Sequence, residues 1–165
     1  MNNQTLRSLP LLFGSIALPL IIGALGSFFT VASLSDWYST LAKPWFNPPN
    51  WVFGPVWTVL YILMGISLWL IIRNGIRDSD VRLGTLFFGL QLLVNLLWSL
   101  IFFGMRSPAG GLVTILVLLV FIILTIRAFK IVSPYAAYLL IPYLFWTVFA
   151  TLLNAMLVIL NLPGS

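Results

Sequence analysis

Five long apolar segments, separated by short polar links, dominate this sequence. They cover approximately residues 9–32, 51–72, 83–104, 110–126 and 134–160. A helix needs about 20 apolar residues to cross the hydrocarbon core of a bilayer, and each segment is close to that length. The alternation typical of a β-barrel is absent. The pattern therefore predicts one all-α membrane domain over residues 1–165, a bundle of five transmembrane helices with antiparallel neighbours.

The composition agrees with a membrane protein. Of the 165 residues, 61% are hydrophobic and 7% are charged, and the mean hydropathy is +1.11. A soluble domain carries about 25% charged residues, so most of this surface faces lipid. The chain has no histidine, cysteine or glutamate, and its acidic residues Asp36, Asp78 and Asp80 lie outside the predicted helices. We therefore expect no metal site, no hydrolytic acid–base pair and no ion-coupled pump.

The basic residues are unequally divided between the two sides of the predicted membrane. One side carries six of them, namely Arg7, Arg73, Arg77, Arg82, Arg127 and Lys130, and the other carries Lys43 and Arg106. In a plasma membrane the positive-inside rule then places the N-terminus in the cytoplasm and the C-terminus outside. This topology accounts for the net charge of +5 better than a nucleic-acid partner does.

The connection between the first two helices, residues 33–50, is the longest. Its Lys43-Pro44 and Asn47-Pro48-Pro49 sequences favour extended or turn backbone. A loop this apolar does not extend into water, so we expect it to fold over the mouth of the bundle as a lid. An aromatic belt at the headgroup layer is the alternative. The aromatic residues on which both interpretations rest are Trp37, Tyr38, Trp45 and Phe46.

Polar and aromatic residues form one stripe on each of three predicted helices. Amides exposed to lipid are costly, so the stripes should face one another. Trp57, Trp98 and Asn154 lie roughly 9 Å from the lid-side ends of their helices, which predicts a ligand pocket in that half of the bundle. Alternatively, the amides only bond helix to helix. The fourth helix has few polar residues and is predicted to be peripheral. The first helix has small residues at Ser15, Pro19, Gly23 and Ser27, spaced for close backbone contact with another helix. The stripes comprise Gly54, Trp57, Thr58, Tyr61 and Gly65, then Gln91, Asn95, Trp98, Ser99 and Phe102, then Pro142, Trp146, Ala150 and Asn154.

Three blocks of sequence carry a more specific signal. The first reads WY…KP…PP…GPVW…LY..MG between Trp37 and Gly65, and the second reads QLLVNLLW from Gln91, followed by FFG and Arg106. The third reads LLIPYLFW from Leu139, followed by FATLLN ending at Asn154. In order and spacing these blocks resemble the translocator protein family, also called tryptophan-rich sensory proteins or peripheral-type benzodiazepine receptors.

The resemblance implies a receptor, sensor or carrier that binds protoporphyrin-type tetrapyrroles and other flat apolar ligands. It also implies that no cofactor is required and that homodimers are frequent. The vertebrate sterol-contact pattern is absent here, since Ala155 follows Asn154 and no basic residue comes after it. The ligand-binding residues expected from the resemblance and the stripes together are Tyr38, Trp57, Tyr61, Asn95, Trp98, Trp146, Ala150 and Asn154.

The lid side supplies further candidates, Trp37 and Pro44 among them. The two carboxylates of a tetrapyrrole do not enter hydrocarbon unpaired, so Lys43 and Arg106 are candidates to contact them. Alternatively, both cations only reach the headgroups.

Two other functions stay open. One is a light-dependent, porphyrin-degrading activity with the indoles of Trp57 and Trp146 as electron donors. The other is passive transport of tetrapyrroles or lipids.

Overall fold

A computed structural model describes residues 3–162, with side chains from Leu9 onward. The described part is helical and contains no strand, and five stretches are long and apolar enough to span a membrane. The predicted fold class is confirmed. The elements are α1 (Asn3–Leu34), α2 (Trp37–Thr40), α3 (Asn50–Ile72), α4 (Ser79–Ser99) with a π-helical turn (Leu100–Gly104), α5 (Pro108–Val132), α6 (Pro134–Leu139) and α7 (Ile141–Leu160).

The largest difference from the predicted helix ends is in α5, and a proline accounts for a break in the fifth span. α5 continues to Val132 rather than ending near residue 126, because long basic side chains at its end can extend to the headgroups while the backbone stays helical. The fifth spanning segment is divided into α6 and α7 at Leu140. Pro142 follows and lacks the N–H that would continue the α-helical hydrogen bonding.

The π-helical turn at the end of α4 was not predicted. It is closed by the Met105 N–H, which donates to the Leu100 carbonyl at 2.8 Å. The wider turn lets the consecutive residues Phe102 and Phe103 both point inward, with 3% and 8% of their surfaces exposed. Such turns are frequent at functional sites. Here the turn supplies two aromatic rings beneath the lid.

Helices α1 and α3 are closest at Gly65. A Cβ atom built there would lie 2.4 Å from the Ile16 Cα and 2.8 Å from the Ser15 carbonyl oxygen. Further toward the lid, a Cβ on Gly23 would instead meet the ring of Tyr61. The two helices thus make backbone contact at Gly65 and are separated by a side chain at Gly23. Of the small residues of α1 that were expected to allow close backbone contact, Ser15 lies at the contact and Gly23 does not.

The fourth helix, α5, was predicted to be peripheral; its buried share is the second smallest of the five spans, but one of its faces packs in the bundle interior. Four large side chains of α5 have at most 1% of their surface exposed, namely Ile115, Leu118, Ile122 and Phe129. The outermost helix is α1, which has the smallest buried share of the five spans. Few polar groups do not mean lipid exposure, because apolar side chains can also fill a bundle interior by shape. That the end carrying most basic residues faces the cytoplasm stays a prediction.

The α1–α3 contact can be tested with two glycine substitutions. We expect Gly65→Ala to destabilise the protein by about 1–3 kcal/mol, since its methyl group would press on backbone that cannot move aside. Gly89→Ala is the matched control, because nothing lies within 4 Å of a Cβ there. Thermal unfolding in detergent measures both. Equal melting temperatures for the two variants would contradict the close contact.

Candidate functional site beneath the lid

A cavity of about 540 Å³ lies in the lid-side half of the bundle. Its wall is formed by α1, α3, α4 and α7 with the π-helical turn, and Tyr38 of α2 reaches it from above. No described residue of α5 lines it. Its size and its mostly apolar lining are those of a small-molecule pocket.

One wall of the cavity is a row of nearly parallel aromatic rings. Trp57 stacks on Tyr61 with ring centres 5.4 Å apart and a 27° angle between planes. Trp57 also lies 6.4 Å from Trp98 at 32°, and Trp98 stacks on Phe102 at 5.5 Å and 23°. Offset stacking of this kind is favourable in itself. All four rings line the cavity, so this part of its wall is aromatic.

A second part of the wall comes from α7 and the start of α3. Trp146 packs edge to face against Phe53, with ring centres 6.0 Å apart at 70°, and lies 5.5 Å from Phe149. Ala150, one turn further along α7, also lines the cavity. Its small side chain leaves space between the two aromatic walls.

A buried hydrogen-bond chain closes the bottom of the cavity. The Tyr61 hydroxyl donates to Asn95 Oδ1 at 2.9 Å, and Asn95 Nδ2 donates to the Tyr143 hydroxyl at 3.1 Å. Asn95 therefore joins α3, α4 and α7, and it also lines the cavity. The two roles predicted as alternatives for this amide are combined in one residue.

Asn154 links the aromatic wall to α5. Its Nδ2 donates to the Pro108 carbonyl at 2.8 Å, and its Oδ1 accepts a long bond of 3.4 Å from the Trp98 indole. The Pro108 carbonyl belongs to the first turn of α5. The amide thus orients the Trp98 ring relative to that turn.

The lid is held down mainly by Tyr38, of which 2% is exposed. Its ring packs 5.8 Å from that of Phe103 and 6.3 Å from that of Phe102, and its hydroxyl donates to Asn47 Oδ1 at 2.9 Å. Burial raises the pKa of Tyr38 to about 12, so at neutral pH the hydroxyl stays protonated and can donate.

Two further ties join the lid to the bundle. The Asn161 side chain at the end of α7 makes reciprocal bonds of 3.0 Å with the N–H and carbonyl of Ala42. Arg106 forms an ion pair with Asp36 at 2.7 Å, with side chains 52% and 69% exposed. Arg106 has a positive φ of 53° at the tight turn before α5.

The comparisons with known proteins agree with this architecture. The family model described as the TspO/MBR family matches residues 15–160. The chain belongs to the TspO/MBR family. It is 48% identical to the tryptophan-rich protein TspO of Chlorobaculum tepidum over 88% of this chain and 92% of that protein. It is 47% identical to that of Archaeoglobus fulgidus (91% and 96%) and 38% identical to the translocator protein of Bos taurus (86% and 84%).

Membership of the TspO/MBR family, together with five spanning helices, makes this a multi-pass integral membrane protein in contact with the lipid bilayer. Within residues 3–162, no group of three or more His, Cys, Asp or Glu side chains could hold a metal ion.

The structure brings the eight predicted ligand-binding residues into one cavity wall. The four lid candidates lie outside that wall. Lys43 Nζ donates to the Ser39 and Leu41 carbonyls at 3.2 and 3.1 Å, and Arg106 pairs with Asp36. Trp37 packs edge to face on Phe102 at 5.7 Å, and Pro44 is buried in the lid.

Sequence reasoning missed the contribution of α1 to the cavity wall of this TspO/MBR member. Gly26 lines the cavity, and its carbonyl accepts a bond of 3.0 Å from the Ser99 hydroxyl, which lies 3.1 Å from that of Thr30. The small residues on α1 were a signal for this face, but we interpreted them as helix packing alone. Phe53 and Leu153 were also missed, since isolated apolar residues carry no signal inside an apolar helix.

The structure predicts that packing rather than charge keeps the lid closed. Truncating a buried aromatic costs about 3–5 kcal/mol, whereas an exposed ion pair contributes about 0–1 kcal/mol. We therefore expect Tyr38→Ala to raise amide hydrogen exchange across residues 36–47 more than tenfold, and Arg106→Gln to change it less than fivefold. If Arg106→Gln opened the lid as much as Tyr38→Ala, the ion pair would be the main restraint.

Proposed function

We propose that this TspO/MBR protein is a membrane receptor, sensor or carrier that binds tetrapyrroles of the protoporphyrin type, and similar flat apolar ligands, beneath the lid. The observation that carries the proposal is the row of near-parallel rings from Tyr61 to Phe102 along a cavity of about 540 Å³. A flat aromatic ligand stacked on that row would bury much of its apolar surface, and such burial contributes about 25 cal/mol per Å².

The cavity is open toward the membrane between α1 and α3. Ala24, Ser27 and Val31 of α1 and Gly54 and Thr58 of α3 all line the cavity while remaining exposed. An apolar ligand dissolved in the bilayer could therefore reach the aromatic wall without passing through water. This opening supports a function in which the ligand is taken from, or returned to, the membrane.

The carboxylates of a bound tetrapyrrole have no charged partner inside the cavity, since none of the described lining residues is charged. The propionates would therefore point toward the lid end. There Lys43 and Arg106 already bond to lid carbonyls and to Asp36. Because both arrangements are at the surface, a propionate could replace Asp36 as the partner of Arg106 at small cost.

A binding titration tests the cavity and the mode of binding together. The chain lacks His and Cys, so strong axial ligation of haem iron is not available and Met or Tyr would be a weak ligand at best. We expect metal-free protoporphyrin to bind at least as tightly as haem, read by quenching of tryptophan fluorescence.

Two glycine variants serve as the matched pair for this titration. Gly54 lines the cavity and Gly89 lies on the outer face of α4, and a Cβ atom meets nothing within 4 Å at either. Gly54→Leu should lower the affinity for protoporphyrin at least tenfold, which is about 1.4 kcal/mol, and Gly89→Leu should leave it unchanged. Equal affinity of the two variants, or a bis-ligated haem complex of much higher affinity, would reject the proposal.

A second candidate is light-dependent breakdown of a bound porphyrin by oxygen. It is favoured by Trp57 and Trp146, which line one cavity from different helices. Neither indole N–H has a hydrogen-bond partner in the described residues, and that of Trp146 is buried. Trp→Phe at these positions therefore removes the oxidisable indole without breaking a bond within the protein, unlike Trp98, which bonds to Asn154.

We expect Trp57→Phe and Trp146→Phe to stop any light-dependent loss of protoporphyrin absorbance while keeping affinity within about tenfold. Trp69→Phe is the control, because its indole N–H is also buried and unpaired but lies outside the cavity wall. If illuminated wild-type protein yields no product beyond that of free porphyrin, the receptor or carrier function stands alone. Flux of porphyrin across liposomes would separate carrier from receptor.

A further inference from the structure

Gln91 is the one residue of the α4 stripe whose role the cavity does not explain. It lies one helical turn from Asn95, away from the lid, and 1% of its surface is exposed. Neither Nε2 nor Oε1 has a hydrogen-bond partner among the described residues. Unsatisfied polar groups are especially costly inside a membrane, where lipid offers no partner, so an amide with both ends unpaired calls for an explanation.

The Tyr143 hydroxyl is a group of the buried network whose donor is unused. It accepts a bond from Asn95 Nδ2, and its own proton has no acceptor in the described part of the chain. The bond between Trp98 and Asn154 aligns α4 with α7. Gln91 and Asn95 lie four residues apart on one face of α4, roughly 6 Å along the helix axis.

Because the Tyr143 hydroxyl is bonded to Asn95, it lies within about one helical turn of Gln91 along α4. A hydroxyl without an acceptor and an amide without partners thus lie at neighbouring levels in the bundle interior. Buried waters occupy such places, because one water makes two to four hydrogen bonds to otherwise unsatisfied groups.

We infer that a water molecule is bound between the Tyr143 hydroxyl and the Gln91 amide, below the floor of the cavity. The hydroxyl donates to the water, and the water donates to Gln91 Oε1. The chain of hydrogen bonds then continues from Tyr61 through Asn95 and Tyr143 to Gln91. This site does not depend on what the cavity binds.

Whether replacing Gln91 lowers or raises the melting temperature tests this inference. Gln91→Met keeps the length of the side chain and removes its hydrogen bonds. If water satisfies the amide, the melting temperature should fall by about 3–6 °C, on the order expected for one or two lost bonds in a chain of this size. Leu92→Met, at a buried neighbour on the same helix, is the control and should shift it by less. If Gln91→Met raises the melting temperature or leaves it unchanged, the amide is dry and the inference fails.

A double-mutant cycle locates the water. Tyr143→Phe removes the donor, so its loss should be smaller in the Gln91→Met background than in the wild type. Additive losses would mean that the two residues share no water, and would overturn the site.

A crystal structure of the unaltered protein at about 2 Å resolution provides a test that needs no variant. It should show density within about 3 Å of both Gln91 Oε1 and the Tyr143 oxygen. A direct bond between the two side chains, or no density between them, would also overturn the site.

Discussion

The amide of Asn95 joins three helices at the depth where the cavity ends. In water such a bond would contribute little, because the solvent offers the same partners. Inside a bilayer the alternative is an unpaired amide, so Asn95 must find protein partners, and it has them in Tyr61 and Tyr143. Because Asn95 holds these three helices together, the aromatic rings on its lid side do not have to pack against one another at the centre of the bundle. The cavity is the space that they leave.

The contact between α1 and α3 also fixes helices below the floor of the cavity. At Gly65 the backbones touch, whereas at Gly23 the ring of Tyr61 lies between the helices. Close packing is thus concentrated on the side of the cavity floor away from the lid. Tyr61 belongs to both features, since it separates the helices and donates to Asn95. Tyr61 therefore contributes both to the opening of the cavity between α1 and α3 and to its hydrogen-bonded floor.

The sequence predicted much of this arrangement because polar residues are rare in it. In a chain that is 61% hydrophobic, Asn95 and Asn154 mark the inward faces of their helices, since they cannot face lipid. Where polarity carried no information the prediction was incomplete: α5 was expected at the periphery, yet one of its faces packs in the bundle interior, mainly through apolar side chains. The π-helical turn was also missed, because nothing in the sequence near Leu100 distinguishes it from ordinary α-helix. Lys43 and Arg106 were candidates either to contact a ligand or to reach the headgroups, but their partners, loop carbonyls and Asp36, depend on how the lid folds.

The bonds between Ala42 and Asn161 join residues 119 positions apart, and this separation affects how the protein is made. At about 5–20 residues per second, the ribosome needs on the order of ten seconds to reach Asn161 after it has passed Ala42. Trp146 and Phe149, against which Phe53 and Phe46 pack, are made just as late. During that interval the aromatic residues of the lid have no cavity to cover. The headgroup layer is an environment in which tryptophan and tyrosine side chains are stable during this interval. The lid can therefore make all of its contacts only after α7 has been made.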